Sequence, residues 1–424
     1  MAIWLLSLFC QKKLPITIFS KILNMKAYFF LVLLILKVLI ITGCTFSKAP
    51  DNIPYDYTLL KAGELTLPLD YDASVEIFLS TCVQDDEGGE KLLLWNHIKN
   101  GIDVYKVESQ EAILQHKIRI PVEGPGSLIM QGFSLLGKDS IAIFPKGKLS
   151  GGILVNFAGE VIPNDLALNK IRSFGKSGSY DDFLLAHTSN NTSPTIYFDN
   201  KLFFFRLPLA DLSKPENINT NFDFEYIFDL NTRTGAGGNI HYPDMYHHKI
   251  WSINALACSR TKGHDDWFVY SWDMMDSLLI TNHKGKTYQV YAGTDKFSRY
   301  KLLKKPFVTK ASLEEQLQVV MDNFVYKKII YDPYRKVYYR IGLQPMLYTP
   351  DELMPIYIYF KPIVLILLDH NFNKIGEVQL PAELYDTRGI FVGKEGLYIP
   401  QTNLRNKALS ENVIVFSRYI PVLQ

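Results

Sequence analysis

Paired apolar strands, each pair split by a polar turn, recur from one end of this chain to the other and limit the folds open to it. Leu92 to Val107 (LLLWNHIKNGIDVYKV), Ile153 to Ile162 (ILVNFAGEVI), Leu278 to Val290 (LLITNHKGKTYQV) and Val364 to Val378 (VLILLDHNFNKIGEV) are the strong cases. Glu225 to Thr232 and Val413 to Val422 are weaker ones. In the first, Asn100-Gly101 is a tight-turn dipeptide, and the polar residues around it also allow a longer loop. A second unit sets aromatic residues on both sides of a short polar turn: IYFDNKLFFF (Ile196 to Phe205), IIYDPYRKVYY (Ile329 to Tyr339) and IFVGKEGLYI (Ile390 to Ile399). Ser140 to Phe144, Lys249 to Ile253 and Trp267 to Trp272 read as further strands.

Where the two units alternate they give about four strands per cycle, and the cycle recurs about six times. That is how an all-β chain writes a β-propeller, here of about six blades. A blade is covered by a neighbour on each face, so its strands read as nearly continuous apolar runs. The strong pairs are spaced more widely than the ~40–45 residues of a minimal blade. Weaker blades or insertions must lie between them, with Leu212 to Phe222 and Phe307 to Asn323 as the candidate insertions. The second holds one expected helix, Ala311 to Tyr326, with Leu313, Leu317, Val320 and Met321 on one face. Thr58 to Leu69 is expected to pair with Val413 to Pro421 and so close the ring. The same short strands could also build a pair of β-sandwiches.

Ahead of this domain, Met25 to Cys44 (MKAYFFLVLLILKVLIITGC) has the order of a secretory signal: Lys26, an apolar run from Tyr28, then small residues before Cys44. An uncleaved membrane helix is the competing reading, but Lys37 interrupts the run. Residues 1–43 are assigned to the signal, with Met25 the expected start and 1–24 an over-extension of the frame. Residues 44–57, with Pro50 and Pro54, form a polar tether, and 58–424 form the propeller domain. The signal carries five lysines and no acidic residue, so its removal turns the net charge of +2 negative. The remaining charge is scattered, and no nucleic-acid surface is expected. Of the four cysteines, Cys82 and Cys258 fall within the domain. They read as two buried free thiols, although an oxidising compartment would permit a bridge.

The small residues before Cys44, the opening strand ending Leu67-Pro68-Leu69-Asp70, the Gly124-Pro125-Gly126 turn and the strand-turn-strand units together carry a resemblance. The chain resembles the uncharacterised Bacteroidetes lipoproteins with a six-bladed, TolB-like propeller. The resemblance implies a lipid on Cys44 and an exported propeller, and it carries no catalytic residue onto this sequence. Thr45-Phe46-Ser47-Lys48 lacks the acidic run that marks surface export in that group. A place on the periplasmic side of the bacterial outer membrane is therefore expected.

Chemistry-bearing residues gather at two places. His241, Asp244 and His247 fall in HYPDMYHH after a glycine-rich loop, and His264 and Asp265 fall in SRTKGHDDW with Arg260 and Asp266. These are the candidate binding residues. No spacing holds two histidines on one helical face, and no nucleophile motif stands out. No metal or cofactor is expected, and no catalytic residue is nominated. Asn190-Asn191-Thr192 fits a glycosylation pattern that a bacterial lipoprotein would not use. The expected role is a membrane-anchored binding or scaffold module for a protein or glycan ligand, with Trp251, Trp267 and Trp272 as stacking candidates. The alternative is an envelope glycan hydrolase or lyase at the propeller channel, which requires the His and Asp residues of both clusters to converge.

Overall fold

The computed structural model of the chain describes residues 56–424 apart from 86, 125–126, 138, 147–151, 163–186, 207, 209–211, 213–217, 219–221, 248, 253–254, 296–301, 303–309 and 348–360. The signal, Cys44, Pro125, Gly126 and His248 lie outside the described residues. Tyr55 to Gln424 form one compact unit, and it is a six-bladed β-propeller.

The opening strand β1 (Tyr57–Pro68) belongs to the last blade. Blade 1 is β2 (Ser80–Gln84), β3 (Glu90–Asn96), β4 (Gly101–Val107) and β5 (Ala112–Arg119). Blade 2 has three described strands, β6 (Met130–Gly137), β7 (Ser140–Pro145) and β8 (Ile153–Val155). Blade 3 holds β9 (His187–Thr188), β10 (Ile196–Phe198), β11 (Lys201–Arg206), β12 (Glu225–Asp229) and β13 (Thr234–Gly237), with β9 paired to the end of β11. Blade 4 is β14 (Cys258–Lys262), β15 (Phe268–Trp272), β16 (Ser277–Thr281) and β17 (Thr287–Tyr291). After helix α1 (Lys310–Asp322), blade 5 is β18 (Val325–Asp332), β19 (Val337–Leu343), β20 (Ile363–Leu368) and β21 (Lys374–Gln379). Blade 6 is β22 (Phe391–Gly393), β23 (Gly396–Pro400) and β24 (Val413–Leu423), completed by β1. Neighbouring strands within each blade are antiparallel.

The apolar runs are explained by burial on both faces. In β20, Ile363, Leu365 and Leu367 pack towards blade 6, while Val364, Ile366 and Leu368 pack towards blade 4. In β3, Leu92 and Leu94 join a cluster with blade 6, and Leu93 joins one with blade 2. In β11, Phe203 and Phe205 face blade 4, and Leu202 and Phe204 face blade 2. Six apolar clusters result, one between each pair of adjacent blades.

Closure follows the sequence expectation: β1 pairs with β24 from Tyr57↔Leu423 to Pro68↔Val413, with one irregularity between Lys61 and Gly63. First strands of neighbouring blades meet around the axis, β2 beside β22, β22 beside β18, β18 beside β14 and β6 beside β10. The hairpin between β10 and β11 turns on Asp199 and Asn200, both at positive φ (51° and 54°), as a two-residue primed turn requires. Between β3 and β4 the chain takes the longer loop, with Asn100 at φ 48°.

Three sequence readings are corrected. Val413 to Val422 is one continuous strand, because its polar centre, Ser417-Arg418, pairs on one side with β1 and on the other with β23. Lys249–Trp251 form no strand; this stretch lies in the connection from blade 3 to blade 4, where Trp251 packs on Tyr246. Helix α1 stops at Asp322, four residues short of the expected Tyr326. Its end is held by Asn323 Nδ2 donating to Val319 O (2.7 Å) and by the buried Lys361 Nζ donating to Val320 O and Asn323 O (both 2.6 Å). These bonds satisfy carbonyls that a helix terminus leaves open. The β-branched and aromatic residues that follow then start β18. Among the described residues no helix is long and apolar enough to cross a membrane.

Two leucines of β1 test the closure. Leu67 is fully buried between blades 6 and 1, whereas Leu60 is 53% exposed. Leu67→Ala should cost about 2–5 kcal/mol in denaturant unfolding, and Leu60→Ala less than about 0.5 kcal/mol.

Candidate functional site

Every first strand runs from a near face, where the connections between blades deliver the chain, to a far face, where it turns into the second strand. On the near face the starts of these strands surround a cavity of about 510 Å³. Five blades contribute. Phe78 leads into blade 1, Asn190 and Asn191 into blade 3, and Thr387 and Arg388 into blade 6; Ala257 and Cys258 open blade 4, and Lys327 and Lys328 stand near the start of blade 5. Phe205 at the end of β11, Phe224 before β12, Tyr242 and Leu256 supply an apolar wall. Phe224 stacks on Phe205 (5.5 Å between centroids) and meets Tyr242 edge-on (4.5 Å).

Two consecutive side chains of a regular strand point to opposite faces, yet Lys327 and Lys328 both line the cavity. A β-bulge allows it. The β18–β19 register passes from Tyr326↔Gly342 to Lys328↔Ile341, which leaves Lys327 as the extra residue. Bulges commonly re-aim a side chain in this way.

Among the described residues, all charged side chains that line the cavity are cations. Lys327 is paired with the buried Asp273 behind it. Burial pushes the Asp273 carboxyl up to about 6 against the pull of Lys327. Arg388 is paired with Asp386 (2.7 Å) and Glu76 (3.2 Å), and burial raises the Asp386 carboxyl although Arg388 opposes it. Lys328 differs. Its buried Nζ donates to Ile390 O (2.7 Å), and no carboxylate pairs with it among the described residues. Burial lowers its ammonium to about 7, with Asp386 only partly opposing. Asn191, also on the wall, accepts from Ser80 N through Oδ1 (2.8 Å), while its amide nitrogen is buried with no partner among the described residues. Burial also pushes up the Cys258 thiol. Cys82 and Cys258 are both free; Cys258 is buried, but Cys82 only partly so.

The residues singled out in the sequence do not meet. His241, Asp244 and His247 lie on the near face beside the cavity, but only their neighbour Tyr242 lines it. His241 Nδ1 contacts Phe222 O (3.0 Å), Asp244 is exposed on a short 3-10 turn, and His247 Nδ1 lies 3.7 Å from Asp244 Oδ1. His264 and Asp265 occupy the β14–β15 turn on the far face, separated from the first cluster by the length of β14, ~13 Å. There His264 Nδ1 bonds Tyr338 Oη (2.8 Å), burial lowers its pKa, and Asp265 is exposed. The convergence that a hydrolase or lyase built on these residues requires is absent. Among the described residues no three His, Cys, Asp or Glu side chains are placed to hold a metal. Trp251 and Trp272 are core residues, and Trp267 rests against Tyr288.

Arg260 is a strut between blades 3 and 4. Fully buried, it bonds Glu225 (2.7 Å), which also meets Tyr270 and His283. Burial opposes the charge on Glu225, but His283, Arg260 and Tyr270 together hold it below the usual carboxylate range. The cavity residues escaped sequence reading because they span Phe78 to Arg388. The one local signal was a pair of lysines at the start of an otherwise apolar strand, NFVYKKIIY.

An unpaired buried cation lowers stability, and the pH dependence follows. The folded-state pKa of Lys328 lies below its unfolded value, so between about pH 7 and 10 the unfolded chain binds more protons and stability rises with pH. Lys328→Met should be more stable than wild type at pH 7. In urea unfolding the gap should close towards pH 10, at up to about 1.4 kcal/mol per pH unit.

Residues 57–379 match a family model described as a domain of unknown function, DUF4221. A crystal structure of a DUF4221 member from Bacteroides vulgatus is 23% identical, covering 88% of this chain and 100% of its own, with a TM-score of 0.72. A putative exported protein from Bacteroides fragilis is 10% identical over 89% of this chain and 98% of its own, with a TM-score of 0.48. No curated protein matches the sequence. The chain belongs to the DUF4221 family.

Proposed function

We propose that this protein is a ligand-binding module of the bacterial envelope, held to the outer membrane by a lipid on Cys44 and binding its ligand in the near-face cavity. The observation that carries the binding role is the cavity itself. Five blades converge on it, its volume of about 510 Å³ suits a small ligand, and a bulge brings two adjacent lysines into it. The anchoring half rests on sequence: charge, apolar run, small residues and cysteine in order. Several acyl chains on one cysteine, each methylene worth ~0.8 kcal/mol when buried, would hold the protein stably. Residues 1–43 are then the signal, 44–57 the tether and 58–424 the binding domain, on the periplasmic side. β1 begins at the far face, opposite the end of β24.

Ala257 is exposed and lines the cavity, so Ala257→Trp should fill it with little effect on folding. Residues 50–424 immobilised and exposed to envelope extract should retain a small molecule or glycan, identified by mass spectrometry, that the Ala257→Trp form does not. Equal retention by both forms would remove the cavity from the reading. For the anchor, metabolic labelling with a tritiated fatty acid should mark the full-length protein and leave Cys44→Ser unlabelled.

A further inference from the structure

We propose that the ligand of the near-face cavity is a small organic anion, a singly charged carboxylate whose head meets Lys328 and Asn191 and whose apolar body lies against Phe205, Phe224 and Tyr242. This rests on the cavity being the ligand site and adds the chemical class.

The charges around the cavity decide the class. Lys327 and Arg388 are already matched by Asp273 and by Asp386 with Glu76, and none of these carboxylates lines the cavity. Lys328 remains as one cation with no carboxylate partner among the described residues. An ammonium has three donors, and the Ile390 carbonyl accepts one of them at 2.7 Å. The Asn191 amide nitrogen is another donor without an acceptor among the described residues. A neutral ligand would leave the Lys328 charge buried and unmatched, which is the costly state of a buried ion. A dianion would exceed the single charge to be matched. One carboxylate supplies one negative charge and acceptor oxygens for both donors. Phe205, Phe224, Tyr242 and Leu256 give the described lining an uncharged surface that is apolar or aromatic, with Trp272 packed against Phe205 and Phe224. The fitting molecule is therefore polar at one end only.

The test is calorimetric titration of residues 50–424 at pH 6.5, where Lys328 is mostly charged, with four probes: phenylacetate, hexanoate, the neutral isostere phenylacetamide, and the dianion phenyl phosphate. The two carboxylates should bind at least tenfold more tightly than the amide and more tightly than the phosphate. Lys328→Met, its folding verified by its melting transition, should weaken the carboxylates at least tenfold and leave the amide unchanged. Equal binding of amide and carboxylate, tighter binding of phenyl phosphate, carboxylate binding indifferent to Lys328→Met, or no binding by any probe would each overturn the inference. If envelope capture still depends on an open cavity while these titrations fail, the anion class falls and the binding reading stands. If Ala257→Trp leaves capture unchanged, both fall.

Discussion

A sheet that is apolar on both faces must have a neighbour on each side. Residues 363–368 state this constraint in six consecutive buried side chains, three for blade 6 and three for blade 4. The same alternation in β3, β7 and β11 makes each blade a wedge between two others. A row of such blades would end in two bare apolar faces; a ring has none. Arranging first strands around an axis also sets the starts of those strands side by side, and that is where the cavity lies.

Buried charge divides into two kinds in this ring. Arg260 and Arg340 are fully buried and amply matched. Arg260 has Glu225 and two backbone carbonyls. Arg340 has Ser271, the carbonyls of Asp276, Ala292 and Met275, and the face of Tyr326 at 3.5 Å. Such groups fix how one blade sits on the next, and their hydrogen bonds offset the cost of leaving water. Lys328 is equally hidden but has a single carbonyl. A guanidinium with five donors in a planar fork can tie several groups of two blades together, whereas the Lys328 ammonium holds one carbonyl.

The fold was legible because the sequence writes it locally. Each blade shows as hairpins a few residues apart, and both the strong pairs at Leu92, Ile153, Leu278 and Val364 and the weaker ones at Glu225 and Val413 fall in separate blades. Boundaries failed where local pattern competed with distant pairing, as in β24, whose Ser417-Arg418 looks like a turn until β1 is placed beside it. The site was not legible for the opposite reason. Residues rich in chemistry and close in sequence, His241 to His247 and His264 to Asp265, are driven apart by the length of β14. Those that do meet come from five blades and include plain residues such as Ala257 and Asn191. Only the doubled lysine at 327–328, misplaced for a strand with alternating faces, carried a trace of it.

The pairing of β1 with β24 joins the opening strand to the final one. Their contacts span nearly the whole domain in sequence, so the loop-closure entropy they must overcome is close to the largest that this chain can present. A chain emerging amino end first would hold β1 without its ladder partner until β24 appeared, because the strand that completes blade 6 precedes the other described strands. Circularisation of the fold is thus a final event, and a chain truncated at its tail would lack the latch that turns a stack of wedges into a wheel.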